Sequence, residues 1–196
     1  MGRLLLLVTL LAAPLVAGAE GPGPPPAPAA RTRQGLPNTL STATLSKAIT
    51  EGVGYGGLRL GDSGTQVAAR WGQTDCTPQG PRWSCAYAVV EDPNTTGELV
   101  AVLLEADRIV LFAVLPVPHA RVVPLRTTAG IGVTATEDEV RRAYGPPEAE
   151  VREWILYPSR GVGFALTRHP VVKLIVVFPP GTPTERVLDY LGGGRR

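Results

Sequence analysis

Few side chains in this sequence are of the kinds that make or break bonds, so each can be weighed by itself. Ser63 stands in Gly61-Asp62-Ser63-Gly64, a setting in which serine is a nucleophile when a histidine reaches it. The histidines are His119 and His169, both C-terminal to Ser63. Neither has a Cys, His, Asp or Glu at two to four residues beyond it, the spacing of a local metal site, and both adjoin a proline, Pro118 or Pro170. They read as solvated turn histidines. Cys76 and Cys85 enclose Thr77-Pro78-Gln79-Gly80-Pro81-Arg82-Trp83-Ser84, a run rich in turn formers and unlike a C-x-x-C redox or zinc motif. They read as a disulfide clamping a hairpin or loop. Glu137-Asp138-Glu139 suits the positive end of a helix and needs no catalytic role.

A chymotrypsin-like order needs its histidine upstream of the serine, and this chain has none there. A GDSL-type serine hydrolase using Ser63 is the alternative enzyme reading. It requires an Asp three residues before a late His, where this chain has Pro116 and Leu166. Ser63 reads better as a helix N-cap, and the chain as no enzyme, with no catalytic residue, metal or cofactor. Gly52-Val53-Gly54-Tyr55-Gly56-Gly57 lacks the lysine of a phosphate loop and reads as a flexible lead into a strand. Asn94-Thr95-Thr96 is a glycosylation sequon only where the source glycosylates.

The elements that position these residues follow from composition and pattern. The chain has 196 residues, 44% of them apolar, with formal charge +2, 23 glycines and 20 prolines. Lysine occurs only at Lys47 and Lys173, which leaves no basic stripe for nucleic acid. Residues 1–19 read as an export signal: Arg3, an apolar run from Leu4 to Leu11, then Ala17-Gly18-Ala19. The apolar run is shorter than the roughly 20 residues of a membrane span, so no integral span is expected after cleavage. Residues 20–39 form a Pro/Gly-rich disordered tether.

Beyond the tether the sequence repeats itself. Residues 57–72 superpose without gaps on 130–145, and residues 100–116 on 163–179, with apolar, aromatic and glycine positions coinciding. The first repeat is expected over 40–118 and the second over 119–196. Each contains a capped helix, with Val67 and Trp71 or Val140 and Tyr144 on one face, stopped by Gly72 or Gly145. The cap is Asp62 or Ser63 in the first; Thr134 and Glu137 have capping-box spacing in the second. Antiparallel strands are expected at 83–90, 99–105 and 108–115, then at 150–157, 161–167 and 171–178. Short helices are expected at 42–50 and 183–191, the latter capped by Thr182 and Glu185. The predicted fold class is α+β, two tandem copies of a helix packed on a small antiparallel β-sheet. Trp154 and Leu156 point opposite to Ile155 and Tyr157, so the second sheet face is also apolar and must be covered or used for binding.

The Gly-apolar-x-apolar-Gly strand, the capped helix ending in aromatic-Gly and, in the second copy, Pro, and the Val-x-x-Ile-x-Val strand resemble bacterial exported modules of the BamE/SmpA and β-lactamase-inhibitor-protein (BLIP) type. The resemblance covers residues 57–179. It implies a non-catalytic scaffold that binds another protein through a sheet face or loops, at the bacterial cell envelope, periplasmic or extracellular. The chain lacks the lipobox cysteine of BamE and matches no contact set of an inhibitor, so no functional residue transfers. From residue type alone, Trp83, Tyr87, Trp154 and Tyr157 are the candidate protein-binding side chains, since aromatics concentrate at interface centres. A structural envelope protein without a discrete ligand is the remaining alternative.

Overall fold

Alternating large apolar residues along the middle of the chain build long strands, and helix stops and turn residues fold them back on one another. A computed structural model describes residues 39–41, 45, 47–90, 98–116 and 125–192. The signal-like segment, most of the tether, the Asn94 sequon and His119 lie outside the described residues. In chain order the elements are β1 (Thr39–Ser41), β2 (Ala48–Thr50), β3 (Gly54–Tyr55), β4 (Leu58–Arg59), α1 (Gly64–Trp71), β5 (Cys76–Gln79), β6 (Arg82–Val90), β7 (Glu98–Glu105) and β8 (Arg108–Pro116). There follow β9 (Arg126–Thr127), α2 (Glu137–Tyr144), β10 (Ala149–Val151), β11 (Trp154–Tyr157), a 3-10 turn (Pro158–Arg160), β12 (Val162–Leu166), β13 (Val172–Val177) and α3 (Thr184–Tyr190).

The strands do not form a separate small sheet under each helix. β8 and β13 pair antiparallel, Val114 with Ile175, Ala113 with Val176 and Phe112 with Val177, and this seam makes one nine-stranded sheet. Its order is β1-β6-β7-β8-β13-β12-β11-β10, with β5 beside β1 on the outer edge of β6. A second, four-stranded sheet runs β4-β3-β2-β9. The predicted α+β class of two helix-on-small-sheet copies is therefore wrong, and the fold is mostly β. The physical reason lies in β8 and β13: both are apolar on both faces, and left as free edges they would expose unpaired backbone beside hydrophobic side chains. Joining them removes two such edges.

Each seam strand also carries a bulge. Leu103 and Leu104 of β7 face Leu111 and Ile109, leaving Val110 extra; Ala165 and Leu166 of β12 face Leu174 and Val172, leaving Lys173 extra. The bulge shifts the alternation, so that Ile109 and Phe112 both turn to the same face. That face carries α1, α2 and the four-stranded sheet, with Val67, Trp71, Val140, Tyr144, Ile49 and Leu125 in its core. The opposite face holds Leu103, Leu111, Ala113, Leu156, Val176 and Phe178, and Val187 of α3 packs among them.

Both main helices begin in a capping box. Ser63 Oγ accepts the Gln66 amide at 3.3 Å, and Gln66 returns a carboxamide oxygen to the Ser63 amide at 2.8 Å. Thr136 and Glu139 make the same pair at 3.3 and 2.7 Å. The expected cap at Thr134 is displaced two residues, because Thr134 sits at φ +73° in the turn before the helix. Where a helix is expected at 42–50, the described residues 48–50 form β2 instead, with Ile49 fully buried between β3 and β9. So short a helix is marginal alone, and sheet pairing supplies hydrogen bonds it would lack. The supposed flexible glycine lead is the β3–β4 hairpin, whose turn residues Gly56 and Gly57 are at φ +59° and +80°. Glycine pairs are suited to such a turn. The expected strand at 150–157 is two strands, β10 and β11, reversed at Arg152-Glu153. At α3 the expected Thr182 cap fails: its hydroxyl donates to the Pro179 carbonyl at 2.6 Å, and Pro183 occupies the N-cap.

Candidate functional site

Cys76 and Cys85 face each other across the β5–β6 ladder and form a disulfide. Of the hairpin or loop expected there, the enclosed residues make the hairpin, with β5 as its first strand. An intrachain disulfide marks a chain that folds where thiols are oxidised.

Among the described residues, the side chains of Ser63, Glu137 and Glu139 are engaged in local structure. Ser63 Oγ is committed to the α1 cap. His169 is exposed in the β12–β13 turn, and its carbonyl accepts the Val171 amide. Glu137 pairs with Arg141, while hydrogen bonds from the backbone and side chain of Thr136 hold the Glu139 carboxyl below its usual range. Among the described residues no group of three His, Cys, Asp or Glu could hold a metal ion.

The four aromatic candidates are not gathered on one surface. Tyr87 and Tyr157 are 1% exposed and lie under the helices. Tyr87 donates to the Gly72 carbonyl at 3.1 Å and Tyr157 to the Gly145 carbonyl at 2.9 Å, satisfying groups that a helix C-terminus leaves open. Burial pushes the Tyr87 phenol up to about 12. As partner-binding residues these two must be withdrawn: their rings pack on Trp71 and Tyr144, at 5.2 and 5.1 Å between centroids. Trp83 is half-buried on the helix-bearing face, and Trp154 is half-buried on the opposite one.

Trp154 shares its face with α3, which is fixed by a four-charge cluster. Arg82 contacts Glu105 at 3.1 Å, the Asp189 carboxylate at 2.5 Å and the Asp189 carbonyl at 3.1 Å. Arg186 reaches the same carboxylates, Glu105 at 2.6 Å and Asp189 at 3.4 Å. The Tyr190 ring lies against both guanidinium groups, at 4.9 and 5.0 Å. Burial opposes the Arg82 charge, but the bonds to Asp189 and Glu105 outweigh it and hold its pKa above the usual value. Sequence reasoning missed this cluster, since Arg82 and Asp189 are 107 residues apart and belong to no motif. The face that α3 leaves incompletely covered contains Ala101, Leu115, Leu174 and Trp154, all half-buried.

Two acidic groups on the helix-bearing side differ in their surroundings. Glu51 meets the Tyr144 hydroxyl at 2.5 Å, the Ala129 amide at 3.3 Å and the Thr128 hydroxyl. Burial would raise its pKa, but these donors win and lower it. Glu98 is fully buried and accepts one hydrogen bond, from the Leu125 amide at 3.2 Å. No sequence motif marks either residue.

No family model matches the chain, and no curated protein matches it. Among solved structures it is similar to an extracellular protein containing a SCP domain from Bacillus anthracis str. Ames, at 13% identity and a TM-score of 0.41. The match covers 63% of this chain and 45% of that one, so the chain spans less than half of that structure's length. A likeness of this size assigns neither a family nor an activity.

Proposed function

We propose that the protein is an exported, non-catalytic interaction protein of the bacterial cell envelope, a scaffold of the BamE or β-lactamase-inhibitor kind. It binds a partner protein through the sheet face on which α3 sits. The observation that carries this reading is the incomplete cover of that face. A helix of seven residues roofs its centre, while Trp154, Leu174, Leu115 and Ala101 stay half-buried around it. An apolar face rimmed by charged residues, here Arg82, Glu105, Arg186 and Asp189, has the make-up of an interface core with a polar rim. The partner is accordingly a protein that lays apolar side chains beside α3. The disulfide and the signal-like residues 1–19 support an oxidising envelope location.

Site-specific photocrosslinking tests the reading. A photoreactive residue at Trp154 or Leu174 of the full exported chain is expected to give one discrete protein adduct, and one at Trp83 none. Absence of any adduct at 154 and 174, or the same adduct from position 83, overturns the assignment of this face.

A further inference from the structure

Glu98 opens β7 with its side chain in the core between the large sheet and the four-stranded one. Its Oε2 accepts the amide of Leu125, itself fully buried and immediately before β9. Among the described residues its Oε1 has no hydrogen-bond partner, and neither has the hydroxyl of Tyr55 in β3, whose charged form Glu98 disfavours. Among the described residues, the titratable and charged groups acting on this carboxyl are Tyr55 from β3 and Arg126 from β9. An unpartnered buried polar atom is destabilising, and an apolar residue of similar size would avoid that cost. The comparison with Glu51 is direct: several donors hold the Glu51 carboxyl low, whereas among the described residues Glu98 has one donor. Burial dominates there and pushes its carboxyl up to about 8, against the lesser pulls of the Leu125 amide and Arg126.

We propose that Glu98 is a proton-operated latch between the two sheets. As the neutral acid it stays in the core and holds Leu125, and with it β9, against the start of β7. On deprotonation it gives one proton to water, and the carboxylate leaves the core toward Arg126 and solvent, releasing Leu125. The device lies on the helix-bearing side of the large sheet, away from the α3 face, and does not depend on the binding role proposed above.

Amide hydrogen exchange of the full chain between pH 6 and 10, corrected for intrinsic rates, tests the latch. Protection at Leu125, Thr127 and Thr128 is expected to fall about tenfold per pH unit as the pH rises toward the transition, the slope of a single released proton, and to level off above it. Protection at Val114 and Val176 in the central seam is expected to hold. Glu98→Gln, which keeps an acceptor for Leu125 but cannot ionise, is expected to abolish the extra slope. Arg126→Gln removes the attraction that favours the carboxylate and should move the midpoint to higher pH. A flat wild-type profile, an unchanged slope in Glu98→Gln, an unmoved midpoint in Arg126→Gln, or equal loss of protection at the seam would each overturn the proposal.

Discussion

Arg82 and Arg186 bind the same two carboxylates, yet truncating them should have very different effects. The Arg82 side chain is 10% exposed and the Arg186 side chain 45%. Arg82→Ala removes a desolvated guanidinium that makes three hydrogen bonds, one of them to the Asp189 carbonyl. Removing one member of a buried pair costs about 3–5 kcal/mol where the partner is stranded. Here the cost is smaller, because Glu105 and Asp189 keep 24% and 39% exposure and Arg186 stays on both. That leaves about 2–3 kcal/mol for Arg82→Ala. The exposed Arg186 contributes little, as screened surface pairs do. Urea unfolding measures both. With m near 2 kcal/mol/M, the midpoint should drop by about 1–1.5 M for Arg82→Ala and by much less for Arg186→Ala. If α3 also detaches before global unfolding, m for Arg82→Ala should fall, since less surface remains to be exposed. Equal losses for the two variants, or a larger one for Arg186→Ala, would refute the weight given to burial.

Glu51→Gln tests the sign of a lowered pKa. The native state favours the ionised form, so Glu51 contributes stability above the unfolded value near 4.5 and loses it as pH falls through the native value. The variant should be less stable by about 1–2 kcal/mol at pH 7, with the gap closing on acidification in thermal melts across pH 3–7. Tyr87→Phe and Tyr157→Phe each strand a helix-terminal carbonyl and should each cost about 1 kcal/mol in denaturant unfolding; a neutral result would mean solvent satisfies Gly72 or Gly145. Cys76→Ser with Cys85→Ser opens a loop with a sequence separation of 9 and should cost about 2–3 kcal/mol by chain entropy. No change in melting temperature between oxidised and reduced wild type would contradict that figure.

The readable parts of this fold are those fixed within a few residues of chain. Ser63 and Gln66, Thr136 and Glu139, and the stops at Gly72 and Gly145 are contacts over three or four positions, and the sequence carries their types at that spacing. The two-fold alternation along β6, β7 and β11 likewise sorts side chains between two faces, as with Ile155 and Tyr157 against Trp154 and Leu156. What joins distant segments leaves no such trace. β3, β4 and β9 have two residues each, too few for a period, and only the Gly56-Gly57 pair signals the hairpin. The seam is written in the sequence only as surplus: Ala113, Val114, Val176 and Val177 are more apolar than an edge strand tolerates. That surplus called for a partner strand, and the similar apolar run 63 residues away offered one.

The two tyrosines among the aromatic candidates are buried for a related reason. Composition places Tyr at interfaces, but a tyrosine whose hydroxyl meets a helix-terminal carbonyl is equally well placed in a core. Tyr87 follows Gly72, and Tyr157 follows Gly145, by 15 and 12 residues, and in each case the strand after the helix returns the phenol to the helix end. The spacing therefore favoured a structural role for both. Trp83 and Trp154 have no such helix-terminal carbonyl as partner, and they are the two that remain half-buried. Of these, Trp154 alone belongs to the face α3 covers, packed with Leu174 against the same buried cluster as Val187. If the face binds a partner, Trp154→Ser should weaken binding at least tenfold while leaving the fold intact, and Trp83→Ser should leave binding unchanged. A Trp154→Ser variant with undiminished binding would move the interface off this face.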